Sequence, residues 1–214
     1  MTDSYQDNPD QRILRHKISE YYRFQSQIYD FTRWSFLFGR KRLIQEVSRQ
    51  LQDAKRITEF GCGTGTNLLI LSQRFPDACL TGIDLSADML AIAKRRTLHF
   101  SKRLRLHQCM NFTCLDEPQD LILFSYCLSM INPGWESIIE QALASLSANG
   151  MIAVVDFNAS PLGIYRRFMS SNHVNLTGEI YPFLQAHMSS LYAHQFNAYW
   201  GAWSYFNFIG LGQH

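Results

Sequence analysis

Apolar runs and amphipathic stretches alternate along the chain from residue 56 to residue 156. The runs are short, and the one at 120–125 is apolar through its centre, as is typical of a strand that is buried on both faces of a parallel sheet. The stretches between them carry apolar residues at helical spacing, so each predicts a crossover helix. We therefore predict an α/β fold with a doubly wound, mostly parallel sheet. The predicted strands are 57–60, 79–83, 105–108, 120–125 and 151–156, and the predicted helices are 67–74, 87–95 and 136–146, with a turn at 149–150.

The two ends of the chain follow other patterns. In residues 13–52 apolar residues recur at helical steps, interrupted by an aromatic-rich stretch and by Gly39. This pattern predicts helices in front of the sheet. Residues 191–210 are dense in aromatic side chains, and part of this stretch alternates apolar and polar residues as a strand does. With 214 residues the chain has the length of a single domain.

A glycine-rich turn joins the first predicted strand to the first predicted helix. It contains Gly61, Gly63 and Gly65, and Asp84 ends the second predicted strand. Glycines let a backbone turn tightly and lie close to a ligand, and the start of the following helix offers unpaired N–H groups. An acidic residue about 20 positions later is placed to accept the hydroxyls of a ribose. The pattern predicts half of a nucleotide-binding βαβ unit.

The spacing of the glycines argues against a dinucleotide ligand. A dinucleotide-binding turn has its third glycine where this chain has Thr66. Glu59 also precedes the turn, and a carboxylate repels a pyrophosphate but attracts a cationic group. The turn therefore fits a nucleoside that carries a positive charge.

The segment EFGCGTGTNL, followed by GIDLSADML, resembles the first two motifs of class I S-adenosylmethionine-dependent methyltransferases. The alternative is a coincidental glycine turn in an unrelated α/β protein. The resemblance implies a Rossmann-like sheet with an antiparallel C-terminal hairpin, and S-adenosyl-L-methionine as the cofactor. It also implies that the glycines face the methionine part, that Asp84 holds the ribose, and that Leu85 and Met89 border the adenine. Asn111 stands where the family commonly has an acidic residue that hydrogen-bonds the adenine amino group. The expected cofactor-binding residues are Glu59, Gly61, Gly63, Gly65, Asp84, Leu85, Met89, Asn111, Phe112 and Ser125.

These motifs divide the chain into parts. We expect a disordered start at 1–11 and one methyltransferase domain at 12–214. Within the domain we expect a helical cap at 12–54, a cofactor-binding core at 55–156 and a substrate-side tail at 157–214.

Composition and cysteine usage indicate the compartment. The sequence is 46% hydrophobic and 18% charged, as in soluble globular proteins. Its five cysteines have neither disulfide-scaffold nor metal-ligand spacing, so we expect free thiols in a reducing compartment and no metal site. The polar start has no secretory pattern, and the longest apolar run is too short to span a bilayer. We therefore expect a cytoplasmic protein.

The net charge of +2 conceals an uneven distribution. Residues 11–56 hold eleven Lys and Arg against four acids, and residues 94–105 add six without an acid. A basic half of this kind predicts peripheral contact with an anionic membrane surface or an acidic substrate. Solvated helix faces are the alternative. We expect no nucleic acid partner, because the stretch Ser125-Tyr126-Cys127-Leu128 lacks the Asn/Asp-Pro-Pro-Tyr pattern of nucleic acid methyltransferases.

A narrower resemblance concerns the substrate. Four segments are similar to bacterial diacylglyceryl-homoserine N-methyltransferases, which make the trimethylated betaine lipid. They are IYDFTRWSFLFGRKRLI (28–44), FSYCLSMINPGW (124–135), YRRFMSSNHVNLTG (165–178) and WGAWSYFNFIG (200–210). The resemblance implies N-methylation of a lipid head-group amine at the membrane surface. It also implies a partner enzyme, an aminocarboxypropyl transferase that builds the head group.

Such a reaction needs few side chains. A primary amine must lose a proton before it attacks, and we take Tyr29, Tyr126 and His173 as catalytic candidates. A homoserine carboxylate would pair with a guanidinium, and the substrate-binding candidates are Arg33, Arg40, Arg166 and Arg167. Tyr29 and Trp34 are also candidates for a lid. A quaternary product predicts an aromatic wall, for which the candidates are Tyr126, Trp135, Trp203 and Tyr205. An ordinary structural role is the alternative for each of them.

Two other functions are compatible with the same motifs. One is a soluble O- or C-methyltransferase of a quinone- or polyketide-like ring, with the aromatic tail as the acceptor pocket. The other is a cofactor-binding subunit without catalysis.

Overall fold

The computed structural model describes residues 37–212. The expectations for residues 1–11 and for Tyr29, Arg33 and Trp34 therefore lie outside the described residues. None of the helices between residues 37 and 212 has the length and apolar character that crossing a bilayer requires.

The described chain alternates strands and helices. The helices are α1 (Arg40–Gln50), α2 (Thr66–Arg74), α3 (Ala87–Arg96), α4 (Trp135–Ala144), α5 (Gly163–Ser171) and α6 (Ile180–His187). The strands are β1 (Arg56–Phe60), β2 (Cys79–Asp84), β3 (Leu104–Gln108), β4 (Gln119–Ser125), β5 (Leu146–Phe157), β6 (Met188–Ala198) and β7 (Trp203–Gly212). Short 3₁₀ helices lie at Leu98–Arg103, Leu128–Met130 and Tyr199–Gly201.

The strands form one seven-stranded sheet in the order β3-β2-β1-β4-β5-β7-β6. The first five strands of that order pair in parallel, and β7 pairs antiparallel with both β5 and β6. The prediction of a mostly parallel Rossmann-like sheet with an antiparallel C-terminal hairpin is confirmed. The division of the chain into cap, core and tail stays a prediction.

Strand β4 explains why the sheet is covered on both faces. Successive side chains of a strand point to opposite faces, and those of β4 are apolar throughout its centre. Leu121 and Leu123 belong to the core that packs under α1 and α2, whereas Ile122 and Phe124 belong to the core under α4 and α6. All four are at most 1% exposed. A strand with this pattern is stable only at the centre of a layered α/β fold.

The predicted turn at 149–150 lies inside the assigned strand β5. Gln119 pairs with Leu146, but Leu121 pairs with Met151, so the segment between these partners forms a large bulge. Gly150 is required there, because a Cβ atom would lie 2.7 Å from the backbone oxygen of Gln119. The Asn-Gly signal thus marks a bulge, and the strand continues beyond it.

Candidate active site

Two adjoining cavities open at the carboxyl ends of the parallel strands. The sheet order reverses between β1 and β4, which is where open α/β sheets bind ligands. Gly61, Asp84 and Cys127 line both cavities. The first cavity is also lined by Arg40, Glu59, Gly63, Asn67, Ser125 and Tyr126. The second is also lined by Leu85, Cys109, Met110, Met130, Ile131 and His173.

The glycine turn after β1 has the left-handed backbone that its sequence predicts. Gly61, Gly63 and Gly65 have φ values of 72°, 52° and 79°. At Gly61 a Cβ atom would also lie 2.6 Å from Cβ of Cys127, so only glycine lets β1 and the segment after β4 approach this closely. The N–H groups of Gly61 and Cys62 both donate to the carbonyl oxygen of Ile83. The turn is therefore attached to β2 through its backbone.

Asp84 organises the same turn from the end of β2. One carboxylate oxygen accepts a hydrogen bond from the Gly63 N–H at 2.7 Å, and the other accepts from the Ser86 N–H at 2.9 Å. Each oxygen retains a lone pair that could accept a ribose hydroxyl. Burial raises the pKa of this carboxyl, while the N–H donors of Ser86, Gly63 and Leu85 lower it.

Glu59 and Asn67 form a buried polar pair beside the first cavity. Oε1 of Glu59 accepts a hydrogen bond from Nδ2 of Asn67 at 2.7 Å, and the two residues are 1% and 4% exposed. Within the described part of the chain, Oε2 of Glu59 and Oδ1 of Asn67 have no hydrogen-bond partner. Burial raises the pKa of Glu59 to about 8, with Asn67 and Arg40 acting in the opposite direction.

Two orphaned acceptors next to a cavity require an explanation, because leaving a buried acceptor unpaired costs about 1–3 kcal/mol. The ammonium group of an amino acid would supply N–H donors and a positive charge to both oxygens. The methionine part of S-adenosylmethionine carries such a group, so the residues at this position fit the cofactor.

Arg40 also lines the first cavity, at the start of α1. The preceding residue, Gly39, has a φ of 79°, and a Cβ atom there would lie 2.7 Å from side-chain atoms of Asn207 and Tyr205. Asn207 donates from Nδ2 to the Gly39 carbonyl oxygen at 3.2 Å. Strand β7 therefore fixes the start of α1, and with it the Arg40 guanidinium, near Glu59.

The second cavity has the apolar lining that an adenine ring needs. Leu85, Cys109 and Met110 line it, as do Met130 and Ile131. Leu85 was expected there. Cys109 and Met110 were not predicted from the sequence, although their position directly after β3, at the carboxyl edge of the sheet, is a usable signal.

Gly65 lies outside the lining of both cavities, and so do three of the residues expected at the adenine. Met89 is fully buried in α3. Oδ1 of Asn111 accepts from the Thr113 hydroxyl at 2.7 Å, so this amide oxygen closes a local turn. Phe112 stacks on Phe60 with ring centroids 5.0 Å apart. Their contact with adenine stays a prediction, and in the described geometry each is occupied by packing or by a local hydrogen bond.

Tyr126 and His173 occupy different positions around the cavities. The Tyr126 hydroxyl donates to the Phe38 carbonyl oxygen at 2.7 Å, and burial raises the pKa of this hydroxyl well above its usual value. Both features disfavour Tyr126 as a proton acceptor. His173 lines the second cavity, has a φ of 59° and is exposed. A catalytic role for either residue stays a prediction, and the structure favours His173.

The three candidate arginines within residues 37–212 are not brought together. Arg40 lines the first cavity. Arg166 and Arg167 line a separate open groove on α5, where Nη1 of Arg166 donates to the Ser160 carbonyl oxygen at 2.8 Å. Of the expected substrate cations between residues 37 and 212, only Arg40 therefore lies where it could contact a ligand in the two cavities.

Asp156 supports the second cavity from outside its lining and is not among the site residues predicted from the sequence. It is the second-last residue of β5, is fully buried, and its Oδ1 accepts from the Ser129 hydroxyl at 2.6 Å and from the Phe157 N–H at 2.7 Å. These bonds hold the segment Leu128–Met130, and the same segment contributes Met130 to the second cavity. Burial raises the pKa of Asp156 to about 6. Its signal in the sequence is an acid at the end of an otherwise apolar strand.

Comparison with known proteins agrees with this geometry. Residues 57–150 match the family model described as a methyltransferase domain. A trans-aconitate 2-methyltransferase of Variovorax paradoxus (strain S110) is 32% identical over 117 residues, which are 54% of this chain and 44% of that protein. The chain thus spans about half or less of the length of the first curated relatives it matches.

Solved structures show the same fold at low sequence identity. The 1,6-didemethyltoxoflavin-N1-methyltransferase of Burkholderia thailandensis, solved with S-adenosylhomocysteine, has a TM-score of 0.70 at 14% identity, over 100% of this chain and 93% of that chain. The N-methyltransferase NodS of Bradyrhizobium japonicum WM9, in complex with S-adenosyl-l-homocysteine, has a TM-score of 0.66 at 18% identity, over 83% of this chain and 88% of that chain. S-adenosylmethionine is the cofactor that the buried acceptors and the glycine turn fit. Residues 57–150 are therefore similar to methyltransferase domains.

Proposed function

We propose that the chain transfers the sulfonium methyl group of S-adenosylmethionine to a nucleophile that enters beside the first cavity. The observation that carries this proposal is the pair of buried, unpartnered acceptor atoms on Glu59 and Asn67, next to a glycine turn that Asp84 holds in place. A cation with N–H donors satisfies both atoms, and a nucleoside with such a cation is the cofactor of this type of domain.

The residues of the site bind and orient the cofactor. Glu59 and Asn67 accept from the ammonium group, Arg40 pairs with the carboxylate of the methionine part, and Asp84 accepts from the ribose hydroxyls. The apolar side chains around the second cavity enclose the adenine. The bound sulfonium supplies an already activated methyl group, so the remaining requirements on the protein are an in-line nucleophile and exclusion of water.

Cofactor binding tests this proposal directly. We expect S-adenosylhomocysteine to bind the purified chain in isothermal titration calorimetry, and we expect Glu59→Gln to weaken that binding tenfold or more, since a charge-assisted hydrogen bond is worth about 1.5–3 kcal/mol. Glu117→Gln is the matched control, because Glu117 is exposed and pairs with Arg56 at the surface. Equal affinity in all three proteins would contradict the assignment of Glu59.

For the acceptor we propose the amine nitrogen of a lipid head group, diacylglyceryl-homoserine, which is methylated to the betaine lipid. Support comes from the four sequence segments that resemble this class of N-methyltransferases. Tyr126 is the one member of the expected aromatic wall that lines either cavity; Trp135 and Trp203 are buried in the core. Aromatic contact with a quaternary product therefore rests on Tyr126.

The acceptor is tested with methyl-labelled cofactor and vesicles that contain diacylglyceryl-homoserine. We expect label in the lipid phase as mono-, di- and trimethylated products, and we expect alkali to release none of this label as methanol, because N-methyl bonds are stable to base. Retained cofactor binding without label in the lipid would refute this acceptor and leave the methyltransferase proposal standing. Binding without turnover on any amine, phenol or acid would indicate a cofactor-binding subunit.

A small polycarboxylate is the second candidate acceptor. The curated relative described above is a trans-aconitate 2-methyltransferase, and Arg40 offers a cation at the first cavity. The same assay with trans-aconitate distinguishes the candidates. A methyl ester releases its label as methanol in alkali, so base-labile label would favour the carboxylate acceptor.

A further inference from the structure

Large apolar side chains are exposed together at one edge of the molecule. Trp200 is fully exposed, Ile164 is 80% exposed and Phe168 is 55% exposed. Leu162 and Tyr199 are each 47% exposed. Exposed apolar side chains are ordinary when they are scattered, but a cluster of them marks an interaction site.

These side chains come from two elements that are tied to each other. Ser160, just before α5, donates from its hydroxyl to the Ala202 carbonyl oxygen at 2.6 Å, and the Ser204 N–H donates to the Ala159 carbonyl oxygen at 2.7 Å. Tyr165 of α5 stacks on Trp203 at an interplanar angle of 6°. Helix α5 and the turn between β6 and β7 therefore lie side by side.

The two large exposed apolar residues of α5 share one face. Ile164 and Phe168 are one helical turn apart, so their side chains point in the same direction. Met169 and Tyr165 face the core instead. Ile164 and Phe168 thus stay exposed within the described part of the chain.

The charge around these side chains has one sign. Arg166 and Arg167 lie on α5, in the open groove with Ser170 and Ser171. The sequence has no Asp or Glu between residues 157 and 178, nor between residues 188 and 212. Apolar and aromatic side chains flanked by arginine, without acids, match the interface of an anionic bilayer, where aromatic rings sit at the level of the head groups.

The turn between β6 and β7 holds its aromatic residues in an unfavourable backbone conformation. Tyr199, Trp200 and Gly201 all have positive φ, at 47°, 57° and 91°. Bulky residues rarely adopt this region. Packing of Trp200 within the described chain does not explain the strain, because its side chain is fully exposed.

We propose that Leu162, Ile164, Arg167, Phe168, Tyr199 and Trp200 form a docking surface for an anionic lipid bilayer. The apolar side chains enter the interfacial region, and the arginine pairs with lipid phosphate. A second copy of the chain is the less suitable occupant. A two-fold interface would place the same cationic patch against itself, with no acids in these segments to pair with it.

Docking at this edge would bring the candidate active site toward the lipid. His173 follows α5 by two residues and lines the second cavity. The basic stretch 94–105 is less suited to the same task, because Arg96 donates to the Thr64 hydroxyl and Arg103 donates to the carbonyl oxygens of Ser72, Phe75 and Ala78. It also lies next to β3, at the opposite edge of the sheet.

Vesicle sedimentation tests the docking surface without requiring methyl transfer. The full chain is mixed with vesicles of phosphatidylglycerol and phosphatidylcholine in equal parts, or of phosphatidylcholine alone. We expect binding to the first and much weaker binding to the second, and we expect added salt to weaken it. Trp200→Ser and the double variant Ile164→Ser/Phe168→Ser should each lower the partition coefficient about tenfold or more. Arg167→Gln should lower it about fivefold on the anionic vesicles.

Leu98→Ser is the matched control. Leu98 is 62% exposed but lies beside β3, at the other edge of the sheet, so its replacement should leave vesicle binding unchanged. Affinity for S-adenosylhomocysteine, unchanged in the serine variants, confirms that they are folded. Acyl-chain-brominated lipids give a second readout, since they should quench tryptophan fluorescence in the wild type but much less in Trp200→Phe.

Two results would overturn the proposal. One is equal binding of the wild type and the Trp200→Ser variant to anionic vesicles. The other is a dimer in sedimentation equilibrium that Trp200→Ser dissociates, with no vesicle binding by the wild type. Neither result bears on cofactor binding, so the methyltransferase proposal is tested separately.

Discussion

Glu59 is the residue that determines the charge of the site. It is buried next to the first cavity, and its pKa lies at about 8 instead of the usual 4.5. When folding raises the pKa of a carboxyl, there is a pH range in which the group is protonated in the folded chain but ionised in the unfolded chain. Below pH 8 Glu59 therefore carries a proton in the absence of the ligand, and both of its oxygens become acceptors when a cationic ligand binds and this proton is released.

The first prediction follows from this pKa. Because folded Glu59 binds more protons than unfolded Glu59 between pH 4.5 and about 8, the free energy of unfolding should fall as pH rises through this interval. The total decrease is on the order of 5 kcal/mol. Urea denaturation between pH 6 and pH 8 measures about half of this decrease, above the range where Asp156, with a pKa of about 6, contributes most.

Glu59→Gln isolates the effect, since glutamine has no proton to lose. We expect the pH dependence in this interval to be clearly shallower in Glu59→Gln than in the wild type. Parallel curves for the two proteins would mean that Glu59 is ionised in the folded state without ligand.

The second prediction concerns Asp84. If its carboxylate holds the ribose, Asp84→Ala should weaken binding of S-adenosylhomocysteine by about 1.5–3 kcal/mol, as expected for charge-assisted hydrogen bonds. Isothermal titration calorimetry measures this difference. Asp88→Ala is the control, because Asp88 is exposed in the first turn of α3 and contacts neither cavity. An unchanged affinity in Asp84→Ala would show that the end of β2 does not bind the sugar.

The glycine turn between β1 and α2 is the element that connects the two cavities. Its glycines share a left-handed backbone but differ in their surroundings. A Cβ atom on Gly61 would collide with Cys127, whereas a Cβ atom on Gly63 would have no heavy atom within 4 Å. An alanine at position 63 would therefore add backbone strain alone, whereas an alanine at position 61 would add backbone strain and steric overlap.

The third prediction uses this pair. Gly63→Ala should destabilise the fold by about 1–2 kcal/mol, which is the cost of a left-handed conformation for a non-glycine residue. Gly61→Ala should cost about 1–3 kcal/mol more, because overlap with Cys127 forces the segment after β4 to shift. Urea denaturation of both variants at the same pH gives the difference. Equal losses would contradict the close approach of β1 to that segment.

Sequence patterns predicted the core elements well, and the exception depends on a contact between residues that are distant in sequence. Strand β4 has a continuous apolar run at Leu121–Phe124, and Ser86 accepts from the Met89 N–H as the N-cap of α3. The burial of Asp156 near the end of β5 was harder to predict, because this residue is polar. Its hydrogen bond with the Ser129 hydroxyl compensates for the burial, and Ser129 is distant in sequence. Hydrogen bonds between distant residues leave no periodic signal in a sequence.

At the scale of the whole molecule, the sheet separates cofactor binding from the exposed edge. Strands β1 and β4 lie at the centre and carry the glycine turn and the first cavity, whereas β6 and β7 form one edge with α5 beside them. The fold and the cofactor motifs could be predicted from the sequence, because both depend on local pattern and spacing. The cluster of exposed side chains could not, since α5 and the turn at Tyr199–Gly201 become neighbours only through tertiary hydrogen bonds.

The fourth prediction concerns the stability of these regions. Amide hydrogen exchange should be slowest in β4, where Leu121–Phe124 are at most 1% exposed, and fast in α5, where Met169 is the only buried residue. Exchange measured by mass spectrometry on peptides from both elements checks this order. Protection of α5 equal to that of β4 in the lipid-free protein would indicate that another surface covers the helix.

The central claim is that the glycine turn, Asp84 and Glu59 together hold S-adenosylmethionine. A crystal structure of the chain with S-adenosylhomocysteine tests it most directly. We expect the amino group of the ligand within hydrogen-bond distance of Glu59 Oε2 and Asn67 Oδ1, the ribose hydroxyls on Asp84, and the adenine between Leu85 and Met110. A ligand bound elsewhere, or an amino group that leaves both acceptors unpaired, would contradict the account.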